Sequence, residues 1–423
     1  MIKRIKLIFT ADANKRLSSN IFSLGSLQIA NYILPLVTIP YLVRVIGIEN
    51  FGLLAFVTAV TMYFLLLSDY GFNLSATKQI SDNREDLEAC SKIFSEVLGV
   101  KFILVITSLL VLSFLMLFEF FNQNTLIYFL TFGMVVGHAL FPVWFFQGME
   151  AMKYIAIINV ASKTFFTLLI FVFVNEQQDY WMVPLLTSLG FLAAGLYALF
   201  IAIKKYKIKV VPPSRHGLMF QLQNGWHVFL SRIYVNLYTT TNIVLLGLLT
   251  NNTVVGYYSI AEKILQAFSG LFSPVLQAFY PYLANLYKKS KEQFFELFKK
   301  LNLILLVVST VVALFAGLTA DTIVWLIAGE HNENIVVVFT VLAFAIITAP
   351  FGPSYTNGLL VLGEAKKVSE VVFYTMLLNM IIVVPLIIYF GAIGLAITWV
   401  VGQLFHVSFY LYKYKIIQKE IKN

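Results

Sequence analysis

The sequence contains very little cysteine and few charged residues. Only one of its 423 residues, Cys90, is a cysteine, which excludes a disulfide framework and a thiolate-rich metal site. Asp, Glu, Lys and Arg together make up 12% of the chain, about half of the ~25% usual in soluble domains. Hydrophobic residues make up 59% and fall in long runs. The chain is therefore predicted to be a polytopic membrane protein.

Motifs for nucleotide or metal chemistry are also missing. The nearest approach to a Gly-x4-Gly-Lys-Ser/Thr loop, Gly358 to Gly363, continues into Glu364 and offers no lysine to a nucleotide. No His-Glu-x-x-His occurs. A membrane-bound polysaccharide polymerase, the most distant alternative, should carry a long outer loop, whereas the longest outer connection, residues 321–334, is short. We therefore predict that the protein is not an enzyme.

The apolar runs predict about twelve membrane helices. In chain order they are residues 20–46, 51–75, 93–118, 125–147, 155–174, 181–203, 220–249, 254–286, 301–320, 335–358, 368–390 and 391–412. We predict an all-α membrane protein with an N-terminal six-helix bundle (1–203), a basic cytoplasmic linker (204–219) and a C-terminal six-helix bundle (220–423).

A weak internal repeat relates the two halves. Asn50–Phe56 (NFGLLAF) parallels Val254–Ile260 (VVGYYSI), six predicted spans further on. Because six is even, both halves would have the same orientation, which gives a pseudo-two-fold axis along the membrane normal.

Prolines inside the predicted spans are candidate hinges. Membrane helices tolerate proline, and it can either fix a static kink or allow a helix to bend during a transport cycle. The hinge candidates are Pro35, Pro40, Pro274 and Pro281.

The basic residues predict the orientation. Of the 30 Lys and Arg, 25 fall in the N-terminal segment, the even-numbered connections and the C-terminal segment, while the opposite connections contain none. The positive-inside rule makes the basic side cytoplasmic and places both termini there. The net charge of +9 is thus mainly a topology signal and does not indicate nucleic-acid binding.

Five cations remain inside or at the ends of predicted spans: Arg44, Lys101, Lys163, Arg232 and Lys263. Arg232 and Lys263 fall close to the bilayer midplane, where a charge costs about 2.5–3.5 kcal/mol. Uncompensated cations there predict a central cavity that holds an anionic headgroup, such as a lipid-linked phosphate or pyrophosphate. Lys101 and Lys163 lie nearer the cytoplasmic face, so snorkelling is their alternative role. Arg44 is predicted to be an interface anchor or part of the same cavity.

Acidic residues inside the spans are few. Glu262 is the main deep one, but it neighbours Lys263 in sequence and would not face it on a helix. Asp69, at the inner end of the second span, is predicted either to anchor the helix at the interface or to pair with a basic residue as an inner gate.

Aromatic and imidazole side chains in the spans have two candidate roles. His138, His227 and His406 are predicted to make packing hydrogen bonds, with proton coupling as the alternative. Tyrosines gather in the stretch around Arg232 and Lys263, where some could stack on sugar rings: Tyr234, Tyr238, Tyr257, Tyr258, Tyr280 and Tyr282.

The first eighty residues resemble a known family. Leu34–Phe56 (LPLVTIPYLVRVIGIENFGLLAF) contains Arg-x-x-Gly from Arg44 and a Gly-Leu pair at Gly52, and Ser68–Ser81 (SDYGFNLSATKQIS) contains an acid-aromatic-Gly-Phe run from Asp69. This pattern resembles polysaccharide transporters of the Wzx, or O-antigen flippase, type. These belong to the multidrug/oligosaccharidyl-lipid/polysaccharide exporter superfamily. The second-half segment YYSIAEKI is similar too.

The resemblance implies an alternating-access carrier with a cationic central cavity. Its substrate would be an undecaprenyl-pyrophosphate-linked oligosaccharide, moved from the cytoplasmic to the outer leaflet. Membrane lipids and other polysaccharide-assembly proteins are the expected partners. No cofactor is expected, and a proton or sodium gradient is a candidate driving force. The main alternative is a multidrug or small-cation exporter of the related multidrug type, whose cavity should be acidic.

Overall fold

The computed structural model describes the backbone of residues 11–422 and the side chains of residues 34–421 other than those at positions 36, 235, 237, 238 and 278. No β-strand occurs in this part of the chain. The predicted all-α class is confirmed.

The helices are connected by short segments, the longest being residues 205–214. The first eight are α1 Ala11–Asp69, α2 Phe72–Asp82, α3 Leu87–Leu115, α4 Glu119–Asn122, α5 Thr125–Leu140, α6 Val143–Gly148, α7 Met152–Phe173 and α8 Met182–Lys204, with a 3-10 turn at Gln177–Trp181 before α8. The remaining eight are α9 Arg215–Leu249, α10 Asn252–Gly270, α11 Ser273–Lys289, α12 Lys291–Leu318, α13 Ala320–Ala328, α14 Glu333–Thr348, α15 Phe351–Val361 and α16 Ala365–Lys422.

Eight helical segments within the described residues are long and apolar enough to cross a membrane. They are Val37–Asp82, Leu87–Leu115, Thr125–Gly148, Met152–Phe173, Gln177–Lys204, Lys291–Leu318, Glu333–Val361 and Ala365–Ile421. The first and last contain 46 and 57 residues, more than twice the ~20 that one crossing needs. Among the described residues between 220 and 286, Thr239–Leu249 is a shorter apolar helix. A polytopic chain is confirmed, but the count of twelve is not.

The described residues form two compact units. The first comprises residues up to Thr38 together with Val57–Ile233, and the second comprises Ile39–Phe56 and the residues from Tyr234 onward. The predicted linker, residues 204–219, includes the non-helical segment between α8 and α9. The six-plus-six division stays a prediction.

In the first unit, the acid-aromatic-Gly-Phe run forms the turn between α1 and α2. Tyr70 and Gly71 both adopt positive φ, 44° and 79°, so α1 ends at Asp69 and the chain changes direction. A Cβ atom on Gly71 would lie 2.7 Å from Cβ of Val228. Glycine is therefore favoured at this position both by the positive φ and by the close approach of α9. The turn therefore holds Asp69 beside α9.

Aromatic packing fills the core of the first unit. Trp144, Phe145 and Phe146 on α6 are fully buried. Phe94 on α3 contacts two of them, with ring centroids 5.4 Å from those of Trp144 and Phe145. Burying each large side chain stabilises the unit by about 1.5–3 kcal/mol. This core fixes the helices that carry the charged residues described below.

In the second unit, glycines break the long helices. Residue Gly47 interrupts α1 with φ 80°, ψ 164°, and Gly391 interrupts α16 with φ 56°, ψ −128°. Both breaks lie at or next to predicted span ends. The hinge candidates Pro35 and Pro40 lie within α1 before its break.

The other two hinge candidates lie on α11. Pro274 is in its first turn, directly after the break that separates α10 from α11, and Pro281 is inside it. Proline suits a first turn because its missing N–H would have no partner there. Whether any of the four prolines acts as a hinge stays a prediction.

The helix α12 presents an exposed apolar face. Most of its large exposed side chains recur at intervals of three or four residues: Leu303, Ile304, Val307, Val308, Val311, Leu314, Phe315 and Leu318, with Leu306 in addition. This spacing marks one side of a helix. Such a face is expected to lie against lipid.

Candidate functional site

Arg232 and Asp69 form an ion pair in the first unit. Nη1 of Arg232 donates to Oδ2 of Asp69 at 2.9 Å, and Nδ2 of Asn73, on the next helix, donates to Oδ1 at 2.7 Å. Asp69 is 4% exposed, whereas the Arg232 side chain keeps 39% of its surface. The expectation that Arg232 has no counter-charge is therefore wrong. One of the two roles predicted for Asp69 is an ion pair with a basic residue that acts as an inner gate, and this role requires the pair seen here. Whether the pair acts as a gate stays a prediction.

Lys101 and His138 complete a cluster around this pair. Lys101, on α3, is 2% exposed and interacts electrostatically with Asp69. Its snorkelling alternative is wrong, because the side chain is enclosed by protein. His138, on α5, interacts with Lys101, Asp69 and Arg232, and its Nδ1 has no hydrogen-bond partner among the described residues. We call Asp69, Asn73, Lys101, His138 and Arg232 the Asp69 cluster.

The Asp69 cluster contains more basic than acidic side chains. Lys101 and Arg232 are basic, and Asp69 supplies the one carboxylate. No carboxylate lies within ion-pair distance of Lys101 in the described part of the chain. Buried charges are normally paired. An excess cation held inside a membrane protein is therefore a functional candidate, and an anion is the ligand that would balance it.

A second polar network, which the sequence did not predict, lies in the same unit. The amides of Gln79 on α2 and Gln221 on α9 exchange two hydrogen bonds, 2.9 and 3.0 Å. Gln221 also donates to Oε2 of the buried Glu96 at 3.1 Å. Gln221 and Glu96 lie near the starts of predicted spans, whereas Gln79 lies in a predicted connection, so no spacing relates the three. The network ties α2, α3 and α9 together.

Lys263 lies on the exposed face of α10 in the second unit. Its Nζ donates to Oε1 of Gln266 at 3.3 Å. Glu262, the preceding residue, is attracted electrostatically by the Lys263 charge. The two side chains do not form a direct ion pair within the described residues.

The remaining two predicted cations lie elsewhere. Arg44 is exposed, and its guanidinium donates to the carbonyl oxygen of Leu326 near the carboxyl end of α13. Gly329, with φ 80°, ends that helix and leaves room for the Arg44 side chain. A cation at a helix carboxyl end complements its dipole. Lys163 is half-buried and lines a small cavity of about 70 Å³ between α7 and α8.

The predicted tyrosines do not gather at one surface. Tyr258 is buried, whereas Tyr234, Tyr280 and Tyr282 are exposed; the side chain of Tyr238 lies outside the described residues. Their stacking role stays a prediction.

A larger cavity lies within the second unit. Its volume is about 520 Å³, and its polar lining includes Glu262, Gln266, Asn357, Gln403 and His406. These residues come from α10, α15 and α16. No spacing in the sequence brings them together.

The chain matches known proteins over most of its length. Residues 17–287 match the family model described as polysaccharide biosynthesis protein. Two relatives bear the name "Putative O-antigen transporter". The one from Escherichia coli (strain K12) is 32% identical over 388 residues, 90% of this chain and 92% of the relative. The one from Shigella dysenteriae is 27% identical over 401 residues, 93% and 99% of the two chains.

Two solved structures share the fold. An inward-facing multidrug resistance transporter of the MATE family, in the MOP superfamily, superposes with a TM-score of 0.76 at 15% identity, over 96% of this chain and 99% of that one. The lipid II flippase MurJ, in an inward closed conformation, gives a TM-score of 0.76 at 13% identity, over 93% and 87%.

Proposed function

The chain belongs to the polysaccharide biosynthesis protein family, and from that membership we propose that it carries a lipid-linked oligosaccharide across the bacterial inner membrane. The proposed substrate is an undecaprenyl-pyrophosphate-linked repeat unit, and the proposed direction is from the cytoplasmic to the outer leaflet. We further propose alternating access between two six-helix bundles, with both chain termini in the cytoplasm.

The excess cation of the Asp69 cluster is the observation that carries this proposal. Lys101 and Arg232 together outweigh the single carboxylate of Asp69, and the guanidinium side chain of Arg232 is still partly exposed. Arginine binds phosphate oxygens through two parallel hydrogen bonds, which makes it suited to a diphosphate. A diphosphate headgroup that reached Arg232 would therefore compete with Asp69 for the same donors.

This competition gives the ion pair a role as an inner gate. In the empty carrier Asp69 holds Arg232, which keeps α1 and α9 together. A bound headgroup would take over the guanidinium, weaken the contact and favour a change of conformation, since a ligand shifts an equilibrium through its differential affinity for the two states. Lys263, Arg44 and Lys163 are further candidates for headgroup contacts along the path.

A gene deletion tests the proposal directly. We expect lipid-linked repeat units to accumulate on the cytoplasmic leaflet and surface polysaccharide to disappear, with both restored by the wild-type gene. The inactive variant Arg232→Gln, produced at the wild-type level, should fail to restore them. Normal surface display in the deletion strain would reject the assignment.

Export of drugs or small cations is the second candidate function. The observation that favours it is the Glu262 carboxylate in the lining of the 520 Å³ cavity, because an acidic cavity attracts cations. If this function were correct, Glu262→Gln should sensitise cells to cationic drugs and leave surface polysaccharide intact. We expect the same variant to leave drug sensitivity unchanged.

A further inference from the structure

The 520 Å³ cavity of the second unit has the size of a ligand site. Small-molecule pockets are usually about 300–1,000 Å³, whereas one water molecule needs only about 30 Å³. A side chamber of about 30 Å³ adjoins it and shares Trp399, Gln403 and His406 as lining residues. The cavity is thus far larger than a few isolated waters require.

Several polar groups in the lining have no protein partner. The side chains of Asn357, Trp399 and Gln403 make no hydrogen bond to any described residue. In the side chamber, Asn379 is 3% exposed and its Oδ1 has no donor in the described part of the chain. Asn379 is buried, whereas Asn357, Trp399 and Gln403 are half-buried. Polar groups enclosed by protein normally have partners. These amides and the indole N–H therefore provide donors and acceptors for a ligand.

Other polar groups in the lining are held in fixed positions. The hydroxyls of Thr356 and Tyr410 lie 2.8 Å apart, and Nδ1 of His406 lies 3.0 Å from Oγ1 of Thr375. The first pair joins α15 to α16, and the second joins the two parts of α16 on either side of Gly391. The lining is consequently arranged before a ligand arrives.

The charge of the lining excludes the diphosphate. Glu262 is its only charged side chain, and no Lys or Arg of the described residues lines the cavity. A carboxylate repels a diphosphate but can accept hydrogen bonds from hydroxyl groups. Free amides, one carboxylate and the broad face of an indole fit a neutral ring that carries many hydroxyls.

We propose that this cavity binds a sugar residue of the transported oligosaccharide. The proposal rests on the proposed function, and it assigns the two parts of the substrate to different places. The diphosphate is recognised by the cations, and the sugar by Asn357, Gln403, Trp399 and Glu262. Recognition of hydroxyl groups by half-buried amides that lack protein partners would make the cavity the main source of sugar specificity.

Binding of a sugar without lipid or phosphate tests the proposal. The probe is the oligosaccharide released by partial acid hydrolysis of the host cell's own surface polysaccharide, titrated calorimetrically into the purified full-length chain in detergent. We expect the wild type to bind it. Asn357→Leu and Gln403→Met should each weaken binding at least about fivefold, because each removes one or two hydrogen bonds. The exposed-site controls Asn285→Leu and Gln277→Met should bind as the wild type does.

A volume change gives an independent check. Ala349→Leu adds bulk to the lining without removing any polar group, and it should weaken binding as well. Absence of binding by the wild type, or equal binding by the wild type and all three cavity variants, would overturn the proposed sugar site. Flipping of the lipid-linked substrate is measured separately in proteoliposomes of the wild type. Failure there, with sugar binding intact, would overturn the proposed function and leave the site standing.

Discussion

Gly52 and Gly256 meet at a helix crossing where each approaches the other helix's backbone. A Cβ atom on Gly52 would lie 1.8 Å from the carbonyl oxygen of Asn252, and one on Gly256 would lie 2.4 Å from that of Ile48. The two contacts are reciprocal, because Ile48 and Asn252 are separated by the same number of residues as Gly52 and Gly256. Reciprocal contacts are expected where equivalent positions of two repeats meet. They support the internal repeat that the motif around Gly52 predicts.

Gly52→Ala should therefore disrupt the crossing. The new methyl group meets backbone atoms, which cannot rotate away, so the helices must separate. Overpacking typically costs about 1–3 kcal/mol, and close small-residue contacts are the main support of such a crossing. We expect a lower melting temperature in detergent and a lower yield. Gly317→Ala is the matched control, since its nearest neighbour would be 4.0 Å away. A Gly52→Ala protein as stable as the control would contradict the close contact.

The sequence predicts a deep position for Arg232 but does not predict its partner. The depth follows from helix rise along an apolar run and stays a prediction. Asp69 lies 163 residues away, and no periodicity connects the two. The contact depends on the positive-φ turn at Tyr70 and Gly71, which directs the end of α1 towards α9. The span predicted for residues 51–75 runs through this turn, so the sequence predicts neither the turn nor the helix that it faces.

Asp69→Asn should lower both stability and transport. The substitution leaves Lys101 and Arg232 without a carboxylate, and removing one partner of a buried pair costs at most about 3–5 kcal/mol. The loss should fall below that range because 39% of the Arg232 side-chain surface is exposed, so the pair is only partly buried. Thermal unfolding in detergent measures the first effect, and flipping in proteoliposomes the second. Glu296→Gln, which breaks the exposed pair with Lys300, should change neither.

Lys101→Met should separate stability from function. Methionine fills a similar volume and removes a buried cation that lacks an ion-pair partner in the described residues, so the melting temperature should stay the same or rise. Transport should fall, because the Asp69 cluster would lose its excess positive charge. Arg at this position should not restore transport, since the enclosed site lacks room for a guanidinium. Wild-type transport by Lys101→Met would show that the buried ammonium is structural.

The sequence predicts the position of a helix break, but it does not predict the large cavity. The break at Gly391 coincides with a predicted span boundary, because an apolar run of that length must turn back. The cavity combines Gln266, Asn357 and Gln403 from three helices. Each is a single amide in its own run and gives no signal alone. Side chains that converge only in three dimensions cannot be found by reading one helix at a time.

Substitution of Lys263 should distinguish an anionic from a cationic substrate. Lys263→Ala removes a cation from the exposed face of α10, together with its hydrogen bond to Gln266. If the substrate carries a diphosphate, surface polysaccharide display should fall and drug sensitivity should not change. For a cationic substrate, the same substitution should leave display intact and maintain or increase drug efflux, since it makes the region more negative. Lys300→Ala, an exposed cation on α12 paired with Glu296, controls for loss of charge alone. Full display in cells that produce Lys263→Ala at the wild-type level would remove Lys263 from the headgroup path.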